Sequence, residues 1–198
     1  MSIQKYKGRV EVAPGFLLLL GILLYLDDGS GFLWWVCAAA LLHELGHLAA
    51  SAAFGGRVNL ISFGIAGIEM KLSYPEILPY NKENIVLLAG AVVNLVTGSI
   101  AFKLDIYQMA FISLGLGAFN LLPIIPLDGG QILYNIISGC SDPQLSELIV
   151  RIVSASLVGL LIGAGCIIAV SNANVLPLSL GVWLLLGILK KNHTFSSK

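Results

Sequence analysis

Charge is scarce in this sequence. Only 11% of its residues are Asp, Glu, Lys or Arg, where a soluble domain carries about 25%. So few charges cannot clothe a water-facing surface. The 11 basic and 11 acidic side chains also cancel, so there is no global field to attract nucleic acid, and a nucleic-acid role is excluded. Cysteine is nearly absent: Cys37, Cys140 and Cys166 are odd in number and scattered, which excludes a disulfide framework and a thiolate metal site. They read as small core hydrophobes. No internal repeat, low-complexity tract or soluble-domain-sized polar stretch interrupts the chain. The opening "MSIQKYKGRVEVAPG" is too polar for a signal peptide and no small-residue cleavage site follows it, so the mature chain is expected to keep every residue.

What is abundant is apolar: 57% of 198 residues are hydrophobic. A membrane-crossing helix needs about 20 such residues in a row. The runs near that length are 13–27, 31–54, 84–103, 106–126, 146–170 and 174–190. The expected fold is therefore an all-α polytopic membrane protein of about six transmembrane helices, forming one domain over residues 1–198. Lys5, Lys7, Arg9, Arg57, Lys71, Lys82, Arg151, Lys190, Lys191 and Lys198 all fall on one side of this arrangement. Asp27, Asp28, Lys103 and Asp105 fall on the other. Positive charge collects in cytoplasmic loops, so both termini are expected to be cytoplasmic. The longest connection, 55–83, contains "RVNLISFGIAGIEMKLSY", which alternates polar and apolar residues around Gly64 and Gly67. It reads as a β-hairpin between the second and third spans.

Within the second run lies "HELGH", residues 43–47. On a helix, His43 and His47 share one face a turn apart and can reach one metal ion. Glu44 sits one residue round, able to touch a water on that metal without ligating it. This is the H-E-x-x-H arrangement of zinc proteases. In a chain of this composition, chance yields it roughly 0.0014 times. The bland alternative, polar residues bonded between helices, has to bear an insertion cost of at least ~2.5 kcal/mol for each ionisable group, and needs only one of them.

Catalytic zinc takes three protein ligands and a water. The remaining histidine, His193, is in the polar tail, so the third ligand should be a carboxylate. Asp27, Asp28 and Asp105 belong to the far side, whereas Asp128 lies in "NLLPIIPLDGGQ" where the fourth span returns to the cytoplasm. His47 lies about seven residues, or roughly 10 Å, from the cytoplasmic end of its own span. The expected ligands are His43, His47 and Asp128, with Glu44 as general base. Asn120 could bond the oxyanion or the substrate backbone, or serve as interhelical glue, and Asn94 carries the same alternatives. Pro123 and Pro126 break the helix ladder, and Gly129 and Gly130 are expected to let the chain turn sharply toward the histidines.

HELGH together with "NLLPIIPLDGG" at 120–130 resembles the site-2 protease family of intramembrane zinc metalloproteases, and most of all its compact sporulation branch. The six runs and the hairpin are similar to that family as well. The resemblance implies Zn2+ as cofactor. It implies, as substrate, a membrane-tethered protein with a single span, such as a sigma-factor precursor or an anti-sigma factor, cut inside a bacterial cell membrane. "LAGAVVN" at 88–94 is similar to a third-span motif of the family, with Ala91 where proline is common. The chain has no length for the PDZ or cystathionine-synthase-type domains of some relatives, so substrate selection is expected to lie in the membrane core or in a regulatory membrane partner. An extended substrate could add to the hairpin edge, or the hairpin could only plug the cavity. The competing readings are a membrane metal-ion transporter or sensor using the same His and Asp ligands, which has no need of Glu44, and an inactive scaffold.

Overall fold

The computed structural model describes residues 9–26, 29, 31–64, 67–172 and 174–195. The polar opening with Lys5 and Lys7, the acidic pair Asp27 and Asp28, and Lys198 lie outside the described residues. Among the described residues 74% are helical and one small sheet occurs, and the chain forms two compact units that divide between Ala118 and Phe119.

The first unit begins with β1 (Arg9–Val12), α1 (Pro14–Leu26) and α2 (Phe32–Ala53). Gly55, at φ 76°, takes the left-handed conformation that ends a helix cheaply. The amide of Gly55 closes on Ala52 O at 3.0 Å and that of Gly56 on Ser51 O at 2.9 Å. The chain thereby reverses into β2 (Arg57–Gly64), which pairs antiparallel with β3 (Gly67–Ser73), Gly64 opposite Gly67. The hairpin is where the alternation predicts it. Its third strand is not: β1 adds in parallel to β2, Arg9 opposite Leu60 through Val12 opposite Phe63. Phe16 of α1 then packs on Phe63 with ring centroids 5.4 Å apart.

Next come α3 (Tyr80–Lys103) and α4 (Tyr107–Asn120). The helices of this unit meet through small residues, which let backbones approach without a gap. A Cβ on Gly46 of α2 would lie 2.8 Å from Ala89 O of α3, and one on Gly98 of α3 would lie 3.0 Å from Ala110 O of α4. Ala39, Ala101, Met109 and Ala110 form the buried centre, flanked by Trp35, Leu42 and Leu116. Ala91, standing where the resembled motif often has proline, is fully buried within an unbroken α3.

In the second unit, residues 121–127 run as an irregular turn into α5 (Asp128–Ser138), followed by α6 (Pro143–Asn172) and α7 (Leu176–Phe195). Ile124 and Leu127 of the turn pack with Val158 of α6 and Leu184 and Ile188 of α7.

The structure corrects the sequence reading in several places. Helices occur in every expected run, but among the described residues three are long and apolar enough to cross a membrane: Phe32–Ala53, Tyr80–Lys103 and Pro143–Ser171. Helix α1 has only 13 residues and α4 only 14. α4 stops at Asn120 rather than 126, ahead of Pro123, because proline removes a donor and disfavours helix in the residue before it. Helix α5 was not expected at all. Cys37, Cys140 and Cys166 are exposed rather than core. Cys37 lies one helical turn before exposed Leu41 on α2.

Candidate metal centre

The HELGH segment is helical throughout, just past the middle of α2. His43 is buried, and Glu44 and His47 are half-buried. Helical spacing stacks the two imidazoles, whose Nε2 atoms stand 3.0 Å apart with the rings edge-on. The other nitrogen of each ring meets α3. His47 Nδ1–H donates to the Val86 carbonyl at 2.7 Å. Since a carbonyl only accepts, the proton of His47 sits on Nδ1 and its Nε2 presents a lone pair. His43 Nδ1 lies 3.4 Å from Asn94 Nδ2.

Val86, Gly90 and Asn94 follow one another at intervals of four, so they form a single ridge on α3. Gly90 is the seat of the imidazoles: a Cβ there would lie 2.6 Å from Cε1 and Nε2 of His47 and 2.9 Å from Cε1 of His43. A glycine is required by the close approach of the two rings, not by the turn of the chain. Asn94 is fully buried, and its Oδ1 has no hydrogen-bond partner. An unpaired buried acceptor costs about 1–3 kcal/mol.

These nitrogens fit a metal. Two nitrogens bound to zinc at about 2.0–2.1 Å with tetrahedral angles stand roughly 3.3 Å apart, close to the observed separation. A metal-binding imidazole characteristically donates its second N–H to a carbonyl, carboxylate or water, as His47 does to Val86, while His43 Nδ1 faces the side-chain amide of Asn94.

The remaining predicted residues lie in the second unit. Asn120 is the last residue of α4 and Asp128 the first of α5, so they bracket the turn at 121–127. That turn is held from several sides. Ile125 N–H donates to Ser154 Oγ of α6 at 2.9 Å, and a Cβ on Gly187 of α7 would lie 2.9 Å from the Pro126 ring. Gly129 and Gly130 belong to the first turn of α5, where a Cβ would lie 2.2 Å from Leu121 O and 2.5 Å from Ile124 C respectively. They serve close packing under the turn rather than a sharp change of direction, and Asp128 leads a helix instead of an irregular stretch.

Sequence reasoning missed Val86, Gly90 and Ser154. Gly90 had a readable signal, a small residue one helical turn before Asn94. Val86 acts through its backbone and Ser154 through a contact 29 positions away, so neither leaves a local pattern.

Residues 105–164 match the family model described as Peptidase family M50. Two curated relatives are similar. One is Zinc metalloprotease MJ0392 of Methanocaldococcus jannaschii, 27% identical over 148 residues that cover 65% of this chain and 42% of that protein. The other is Stage IV sporulation protein FB of Bacillus subtilis, 29% identical over 139 residues, or 66% of this chain and 48% of that one. The chain thus spans less than half the length of either. In fold it is similar to the solved structure titled Site-2 Protease from Methanocaldococcus jannaschii, with TM-score 0.69, 22% identity, and 92% and 90% of the two chains covered. The comparisons thus give a match to the M50 peptidase model over residues 105–164 and a fold shared with that solved structure.

Proposed function

We propose, starting from those similarities, that this chain is an intramembrane zinc metalloprotease in which the two units act as one catalytic domain. Its substrate would be a membrane-tethered protein with a single span, cut in or near that span. Three helices long and apolar enough to cross a membrane, together with those similarities, support an integral membrane protein.

One observation carries the reading: the two Nε2 atoms of an H-E-x-x-H helix face each other at 3.0 Å while both Nδ1 atoms are engaged by α3. In the proposed site His43, His47 and Asp128 hold zinc; two imidazoles and one carboxylate are a donor set that zinc accepts. Bound there, zinc supplies the Lewis acidity that brings a water to a pKa of about 7. Glu44 takes the proton from the attacking water and passes it to the departing amine. Asn120 donates its amide hydrogens to the developing oxyanion or the substrate backbone. The turn at 121–127, clamped by Ser154 and Gly187, keeps Asp128 in register. A substrate helix hides its peptide bonds in i to i−4 hydrogen bonds and must unwind first. Since β1 takes one side of β2, the extended substrate would add to the outer edge of β3.

The orientation follows the positive charges, with Arg57, Lys82, Arg151 and both termini toward the cytoplasm of a bacterial cell. A sigma-factor precursor or anti-sigma factor is the substrate class that the sporulation-type resemblance suggests, with a membrane partner as regulator.

Co-expression with candidate single-span substrates, read by gel shift, tests this. Wild type is expected to shorten its substrate, Asp128→Asn and Glu44→Gln are not, and purified Glu44→Gln is expected to retain zinc. Cleavage that persists in Glu44→Gln would overturn the assignment. Metal flux without any cleavage would favour the transporter reading.

A further inference from the structure

The ridge on α3 touches both imidazoles, yet its two contacts differ in kind. Val86 offers a carbonyl, which fixes the tautomer of His47 outright. Asn94 offers an amide, which can face His43 either way round, and the end without a partner is its acceptor, Oδ1. Asn94 is fully buried, one turn past the glycine that seats both rings.

From this we propose that Asn94 is a positioning residue for His43. Its carbonyl accepts the Nδ1 proton of His43, which holds that ring in the tautomer whose Nε2 lone pair binds metal. The inference rests on the metalloprotease reading and deepens it. A histidine that ligates through Nε2 must carry its proton on Nδ1. The atom opposite Nδ1 must then be an acceptor. Amide nitrogen and oxygen are nearly isosteric, and a half-turn about the Cβ–Cγ bond exchanges them. That half-turn gives the buried Oδ1 the partner it lacks and turns the amide nitrogen away from the ring. The two imidazoles would then be set alike, His47 by Val86 and His43 by Asn94, both from one face of α3. Partners of this kind typically change metal affinity 10–100-fold.

The test uses full-length protein in detergent, zinc-loaded, as wild type, Asn94→Leu and Asn94→Asp. Zinc affinity is measured against a competing chelator, and histidine tautomers by 15N NMR; the chain has only three histidines, so the spectrum is simple. Wild type is expected to show His43 protonated at Nδ1 and bound through Nε2. Asn94→Leu is expected to bind zinc on the order of 10–100-fold more weakly. Asn94→Asp, which can only accept, is expected to restore affinity to wild type or beyond, a rescue that a mere packing role would not give. Unchanged affinity in Asn94→Leu, loss in Asn94→Asp equal to that in Asn94→Leu, or His43 bound through Nδ1 would each overturn the proposal. If Asn94→Leu does not fold, the wild-type tautomer and the Asn94→Asp affinity decide. Wild type that takes up no zinc would instead sink the metalloprotease reading itself, a result separable from the others.

Discussion

The Val86 carbonyl accepts the Nδ1 proton of His47 at 2.7 Å. This one bond, made by backbone on α3, settles which nitrogen of the ring is bare, and it does so only because α2 and α3 approach closely enough for Gly46 to touch Ala89 and for Gly90 to lie under both rings. The metal chemistry of the second helix is thus prepared by the third.

Gly90→Ala tests that preparation. The added methyl meets His47 Nε2 at 2.6 Å, and neither ring can retreat without leaving its α3 partner. Zinc affinity is expected to fall on the order of 10–100-fold, as when a ligand loses its supporting contacts. Gly21→Ala and Gly159→Ala are the controls, since nothing lies within 4 Å of a Cβ at either position. Chelator competition on the three purified variants is the measurement.

Gly129→Ala and Gly130→Ala should act through the turn that precedes Asp128. Their methyls would drive into the backbone of Leu121 and Ile124, which cannot rotate away as a side chain does. Overpacking of this kind costs about 1–3 kcal/mol or more. Both variants are expected to melt lower in detergent and to lose cleavage, and a variant with unchanged melting and full activity would contradict the packing described.

Ser154→Ala removes the acceptor for the Ile125 amide. Ile125 is 7% exposed, so that N–H is left buried and unpaired at a cost of about 1–3 kcal/mol. Thermal denaturation in detergent should register the loss, together with weaker zinc binding if the turn positions Asp128. Stability equal to wild type would mean that the amide finds another partner.

How much of this was legible in the sequence depends on whether the signal was local. The H-E-x-x-H spacing needs only one helix, so His43, Glu44 and His47 could be singled out directly. Paired glycines and alternation gave the hairpin for the same reason. Helix α5 was missed because Asp128-Gly129-Gly130 reads as a turn by propensity; packing against the preceding turn overrides that, and no local pattern records it. Strand β1 is four residues long and is held by pairing with a strand some fifty positions on, a relation invisible in either segment alone. Asn94 could be noticed but not interpreted, because its partner depends on how α2 lies on α3. The stop at Asn120 was readable from Pro123, although a length argument for spanning helices pulled the expected end to 126.

Zinc-edge X-ray absorption on the purified, zinc-loaded wild type tests the central claim most directly. The account predicts one zinc per chain with two imidazole nitrogens at about 2.0–2.1 Å and carboxylate oxygen at about 2.0–2.2 Å, the imidazole signal remaining and the affinity falling in Asp128→Asn. A shell containing sulfur at about 2.3 Å, or one with no imidazole scattering, would contradict it.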